Sequence, residues 1–181
     1  MKSIQLLVVG ALAMLCACQP SQKSNLYTVT GELEDSAHHG KKVYIMRYDD
    51  NKYIDSTFIE GNKFVFKGEV DTASFCRIDV SRSAFGNFIL EGGNVKVNLK
   101  EYNHPSGTPQ NDEISKIAYE EDSLYSYVDK KQAEIEKQYP DVKKAREAMK
   151  GLMDEVTENL ATRCKKLFSQ HNNDAVGYFL T

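Results

Sequence analysis

The chain has 181 residues, 41% of them apolar, a formal net charge of -3 and four cysteines. That length supports one domain with its own core plus an appendage, and excludes two large domains. Its lysines are scattered rather than massed, which leaves no electrostatic footprint for nucleic acid; without a Cys-x-x-Cys pair, neither a thioredoxin-type redox motif nor a structural zinc site is written in it.

Lys2 precedes an apolar run from Leu6 to Leu15, too short to span a bilayer but suited to the core of a secretory signal peptide over residues 1–17. The run ends in Leu15-Cys16-Ala17-Cys18, which resembles a bacterial lipobox, and Cys18 is the expected lipidation site and mature N-terminus. The alternative is an ordinary signal cut nearby that leaves Cys18 as a free thiol or disulfide partner. Acyl chains contribute about 0.8 kcal/mol per buried methylene, so several would hold the chain on a membrane. Residues 18–25, polar and containing Pro20, read as a tether. No acidic cluster of the kind that resembles a surface-export signal follows Cys18, so a periplasm-facing place in the cell envelope is expected, in an oxidising compartment.

Residues 26–102 read as strands. Tyr27, Val29, Gly31 and Leu33 alternate with Thr28, Thr30 and Glu32, a period of two that fits a half-buried strand. Residues 35–40 break it as a loop. Val43 to Tyr48 is apolar on both faces and suits an interior strand, closed by the turn formers Asp49-Asp50-Asn51. From Ile54 to Gly68, two β-branched and aromatic runs flank Glu60-Gly61-Asn62 and predict a β-hairpin. Cys76, Ile78 and Val80 share one face of the next strand, Ser74 to Val80. Phe88–Leu90 and Val95–Leu99 then flank another turn at Glu91-Gly92-Gly93-Asn94. The fold class expected is mainly β followed by α: about seven strands in an antiparallel sandwich or partly open barrel, then a long helical hairpin.

Pro105, Gly107 and Pro109 form a linker over 103–110, and Asn111 or Asp112 is expected to cap the first helix. Ile114, Ile117, Leu124, Val128 and Ile135 recur at helical spacing, Tyr139-Pro140-Asp141 breaks the run, and Ala145, Met149, Met153, Val156, Leu160, Cys164 and Leu167 resume it. The hairpin covers 111–170. His171-Asn172-Asn173 stops it, and Asp174 opens a further element over 171–181 whose apolar residues are expected to lack a partner, as if a longer parent protein continued.

Few residues invite chemistry. His38 and His39 are adjacent and point apart, so a solvated turn is expected rather than a metal site. Asp49, Asp50 and Asn51 lack calcium-loop spacing, and Ser106-Gly107-Thr108 lacks the lysine of a phosphate loop. Ser56 beside Asp55 has no nucleophile elbow around it. Glu120, Glu121 and Asp122 are neighbours on a helix and read as a solvated face. Cys76 and Cys164 each share a face with apolar residues, which predicts core packing; the alternative is a strand-to-helix disulfide, which needs α-carbons within about 7 Å. No cofactor or metal is expected.

The ordered set Tyr27-x-x-x-Gly31, Gly40-x-x-Val43-Tyr44-Ile45, Asp55-Ser56, Gly61-x-Lys63-Phe64-x-Phe66-x-Gly68, Leu90-Glu91-Gly92-Gly93, Ser106-Gly107-Thr108 and Asn111 resembles a domain of unknown function, of the 4369 type, found in Bacteroidota lipoproteins. Such domains usually precede a thioredoxin-like domain of a membrane-tethered thiol:disulfide oxidoreductase. No position here matches that domain's Cys-x-x-Cys, so the resemblance implies an accessory role without catalysis, with a thioredoxin-like domain in cis or another envelope protein as partner. A different class of function is a stand-alone envelope module that holds a glycan, peptide or protein; it requires Tyr44, Tyr48, Tyr119, Tyr125 and Tyr127 to be exposed together.

Overall fold

A computed structural model of the chain describes residues 25–81, 84–100 and 104–180. The signal peptide, Cys18 and the tether up to residue 24 lie outside the described residues. Seven strands, β1 (Leu26–Glu32), β2 (Lys42–Arg47), β3 (Lys52–Phe58), β4 (Lys63–Glu69), β5 (Ser74–Asp79), β6 (Phe85–Leu90) and β7 (Gly93–Asn98), precede helices α1 (Pro109–Gln138), α2 (Val142–His171) and α3 (Ala175–Phe179). The strands form two sheets, ordered β4-β1-β7 and β3-β2-β5-β6, which settles the architecture as a sandwich. Every pairing is antiparallel except that of β1 with β7.

The alternation in β1, β4 and β7 turns Val29, Phe64, Phe66 and Val95 inward, where they meet Val43, Ile45, Cys76, Ile78 and Phe88 from the facing sheet. A second, smaller cluster lies on the outer face of the four-stranded sheet, where Phe75 and Ile89 are covered by Ile114 and Ile117 of α1 and by Ala175 and Val176. β2 is an interior strand, as its two apolar faces require.

The expected hairpin from Ile54 to Gly68 is corrected. Its turn forms, with Glu60 paired to Lys63 across Gly61-Asn62, but β3 and β4 then part into different sheets. The reason is β1. Gly31 sits opposite Phe64 and Gly68 opposite Tyr27. A Cβ on Gly31 would fall inside the Phe64 ring, and one on Gly68 would strike the Tyr27 side chain. Each bare backbone therefore seats a neighbour's ring, and this reciprocal pairing outcompetes the local turn signal. The Glu91–Asn94 turn likewise carries the chain between sheets, from β6 to β7.

Helix borders follow local chemistry. Asp141 caps α2 by accepting from the backbone N–H groups of Lys143 and Lys144, and Asp174 caps α3 through Val176 and Gly177. The apolar residues of the last segment do have a partner, contrary to expectation: Val176 is fully buried and Phe179 packs edge-on against Phe75 at 6.1 Å. No described helix is long and apolar enough to cross a membrane.

The hairpin has a direction. Asn25 accepts from the Val70 N–H at the end of the sandwich where Tyr27 lies opposite Gly93. Thr108, which precedes α1, lies against that same Gly93. From there α1 runs along the sandwich until Tyr119 stacks on His104, which shares a groove with Asn98 at the far end of β7. Past that level no α1 side chain is buried and only Val156 of α2 is. At 1.5 Å per residue, roughly 30 Å of two-helix arm extends beyond the sandwich, away from the end where Asn25 lies.

Candidate functional site

The densest set of polar contacts joins sandwich to hairpin. Helix α1 starts earlier than expected: Thr108 is the N-cap and Pro109 occupies the first turn, where a missing N–H costs nothing. Asn111 is therefore not a cap. It is fully buried, its Oδ1 accepts from the Ile89 N–H at 2.9 Å, and its Nδ2 donates to the Ile89 carbonyl and the Thr108 hydroxyl, both at 2.7 Å. One amide thus satisfies both backbone groups of an edge-strand residue, as a further strand would.

Glu91 caps the helix from across the junction, accepting from the Gln110 N–H at 2.9 Å and from Gln110 Nε2 at 3.1 Å. Its negative charge sits where the helix dipole is positive. Gln110 Oε1 then accepts from the Ala175 N–H at 3.0 Å, tying α3 to the same point. Asp112 receives the Gly107 N–H at 2.8 Å, and the Ser115 hydroxyl donates to the Pro105 carbonyl. Gly107 has φ +94°, and a Cβ there would meet the Asn94 carbonyl.

Open grooves flank this junction. One of about 480 Å³ is lined by Asn98, His104, Tyr119, Asp122, Tyr125 and Asp129, with His104 Nε2 3.6 Å from Asp122. Another, of about 580 Å³, lies between the bases of α1 and α2. There Arg163 pairs with Glu120 at 2.7 Å and donates to the Ile117 carbonyl, and His171 meets Asp174 at 2.9 Å. These side chains brace the helices against each other.

The other sequence candidates are dispersed. His39 accepts from the Gly61 N–H at 2.9 Å and His38 lies in the same exposed turn. Asp50 pairs with Arg47 and Lys52, and the Arg47 guanidinium foremost holds its carboxyl well below the usual range. Asp55 accepts from the Tyr27 hydroxyl and from the Ser56 N–H. Burial, with the Asp55 charge second, pushes the Tyr27 phenol up to about 12. Among the described residues no three ligating side chains come together as a metal site.

Both described cysteines are free. Cys76 lies in the sandwich core, where burial pushes its thiol up to about 11. Cys164 departs from the packing expected of it: α1 meets the neighbouring Arg163 side of α2, and Cys164 is exposed. Of the tyrosines, Tyr119, Tyr125 and Tyr127 are exposed on α1, whereas Tyr44 and Tyr48 are half-buried on the sheet. Tyr48 stacks on Phe75 and bonds Asn87, and Tyr44 leans on Tyr53.

The ordered motifs of the sequence gather into two places. Tyr27, Gly31, Phe64 and Gly68 are the reciprocal pairs of β1 and β4; Glu91, Gly93, Gly107, Thr108 and Asn111 build the junction. A family model described as Domain of unknown function (DUF4369) matches residues 27–114. Residues 27–114 belong to that family. The DUF4369 domain spans all seven strands and ends at Ile114, the first apolar residue of α1 packed on the sheet. The arm beyond lies outside it. No curated protein matches the chain. Sequence reasoning missed Gln110, because its partners Glu91 and Ala175 are 19 and 65 positions away and no spacing rule links them.

Proposed function

We propose that this chain is a lipid-anchored, non-catalytic module of the cell envelope that positions a partner of the thioredoxin-like thiol:disulfide kind. The observation that carries the reading is how the junction uses its polar groups. Glu91, Gln110 and Asn111 bond one another's elements and fix an arm to a sandwich, which suits a part that holds something in place. The arm leaves from the end opposite the tether, so whatever binds it stands clear of the anchor. A stand-alone binding module is the second reading: three of the five tyrosines it calls on, Tyr119, Tyr125 and Tyr127, are exposed on α1, while Tyr44 and Tyr48 are half-buried on the sheet.

The first test is made in a lipoprotein-processing bacterium. The wild-type chain takes up labelled palmitate and partitions into detergent, and Cys18→Ala loses both; a Cys18→Ala chain that still partitions would sink the anchor. The purified chain leaves insulin disulfides unreduced, and turnover unaided would sink the accessory role. Deleting residues 121–160 slows reduction by a co-expressed thioredoxin-like partner without releasing the chain from the membrane. A glycan or peptide lost on Tyr125→Ala, with the partner's rate unchanged, would favour the second reading instead.

A further inference from the structure

Charge is segregated along the free arm. Its middle, residues 120–129 and 151–160, holds seven carboxylates and no lysine or arginine; Glu120 among them pairs with Arg163 and Asp122 lies beside His104, which leaves Glu121, Asp129, Asp154, Glu155 and Glu158. Its tip, residues 130–150, holds seven lysines and arginines against four carboxylates. One tip lysine, Lys131, pairs locally with Glu134 at 2.7 Å, and the Asp141 side chain is engaged by backbone N–H groups; Lys130, Lys137, Lys143, Lys144, Arg146 and Lys150 are exposed.

Both poles also carry apolar surface. Tyr125 is 70% exposed and Met153 43% on the middle, and Val142 is 67% exposed at the tip. Beside Val142 a groove of about 450 Å³ is lined by Ile135, Tyr139, Ala145 and Met149. The two poles are adjacent and nearly equal in length, each roughly 15 Å of helix pair at 1.5 Å per residue.

We propose that two copies of this chain dock arm to arm and antiparallel, the basic tip of each lying on the acidic middle of the other. A two-fold axis at the border of the poles makes both contacts at once, so the surface is its own complement. A parallel pair would instead set seven carboxylates against seven. The overlap is roughly 30 Å long and two helices wide, which places it at the lower end of stable interfaces. The pair lies along a surface with one tether at each end, so the inference holds whether or not Cys18 is acylated.

The test is sedimentation of the full chain in density-matched detergent, with circular dichroism confirming unchanged helix content in each variant. The wild-type chain is a dimer that weakens as salt rises, because exposed charges are screened beyond about 8–10 Å at physiological ionic strength. Lys143→Glu, Lys144→Glu and Lys150→Glu together raise the dimer dissociation constant at least tenfold, an on-the-order-of change expected for several lost charge contacts. Adding Glu121→Lys, Asp154→Lys and Glu155→Lys to the same chain restores the dimer. A dimer whose dissociation constant neither set changes does not join tip to middle, and that result overturns the proposal. So does a chain that stays monomeric at about 100 μM, where a micromolar dimer is formed. A monomer that loses a different envelope protein on charge reversal overturns it in favour of that partner.

Discussion

Asn111 occupies a position no solvent reaches, and both faces of its amide are in use. Asn111→Ala leaves the Ile89 N–H and carbonyl buried without partners, at about 1–3 kcal/mol for each unsatisfied group. Urea unfolding should therefore show a loss of roughly 2–4 kcal/mol with unchanged slope. Asn111→Asp keeps the acceptor but turns an oxygen towards the Ile89 carbonyl, and it should be no milder. A loss below about 1 kcal/mol in both variants would mean the amide is not what satisfies β6. Two other buried groups tie stability to alkaline pH. Burial raises the Cys76 thiol from 9.0 to about 11, and burial with Asp55 raises the Tyr27 phenol from 10.0 to about 12. Each favours its neutral form more in the fold than in the open chain, so the stabilisation is complete below pH 9 and disappears as pH climbs through 11 and 12. Tyr27→Phe should flatten unfolding free energy against pH above 10, and an unchanged slope there would remove Tyr27 from the account. Alkylation mapped by mass at pH 8 should mark Cys164 at once and Cys76 only on unfolding, the exposed thiol reacting and the buried one not.

The reciprocal glycine–aromatic pairs decide which strands meet. Gly31→Ala places a methyl group where the Phe64 ring lies, and Phe64 is 2% exposed with little room to move. Overpacking of this kind costs about 1–3 kcal/mol. Phe64→Leu alone should also destabilise, but in the double variant the smaller side chain gives way, so the two losses should fall short of their sum by about 1 kcal/mol in urea unfolding. Full additivity would mean that ring and glycine do not meet. This pairing also explains what was readable beforehand. Strand positions, the two glycine turns and the Pro140 break rest on neighbours within a few residues, and each was visible. The sheet order was hidden, because a turn such as Gly61-Asn62 reports that the chain reverses, whereas the choice of β1 over β3 as partner of β4 is made by the pairs Gly31–Phe64 and Tyr27–Gly68, 33 and 41 positions apart. The junction was hidden in the same way. Asn111 reads locally as a cap, and only the arrival of Ile89 beside it turns its amide to the sheet.

Across the whole molecule, stability is concentrated at one end. The apolar stripe of the hairpin reads in sequence as core, yet Leu124, Val128 and Ile135 are only half-buried, because two helices alone cannot enclose what a third layer would cover. Helices in this setting draw little on propensity and much on packing, so the arm should open independently of the sandwich. Amide hydrogen exchange should show this as a gradient. Protection is highest in β1, β2 and β5 and in α1 up to Ile117, where Asn111, Ile114 and Ile117 hold the helix to β6 and α3. It falls along α1 towards Gln138 and rises again along α2 as Arg163 bonds the Ile117 carbonyl and Glu120. Glu91→Ala removes the carboxylate that caps α1 from β6, at about 1 kcal/mol for a lost cap. Because Gln110 also holds Ala175, that change should speed exchange in both the first turn of α1 and α3 while leaving the arm's tip as it was. Uniform protection from Pro109 to His171 would mean that the arm is held along its whole length. In a chain that is monomeric under the exchange conditions, that would contradict the burial seen here; in a dimer, it would locate the second copy on the arm.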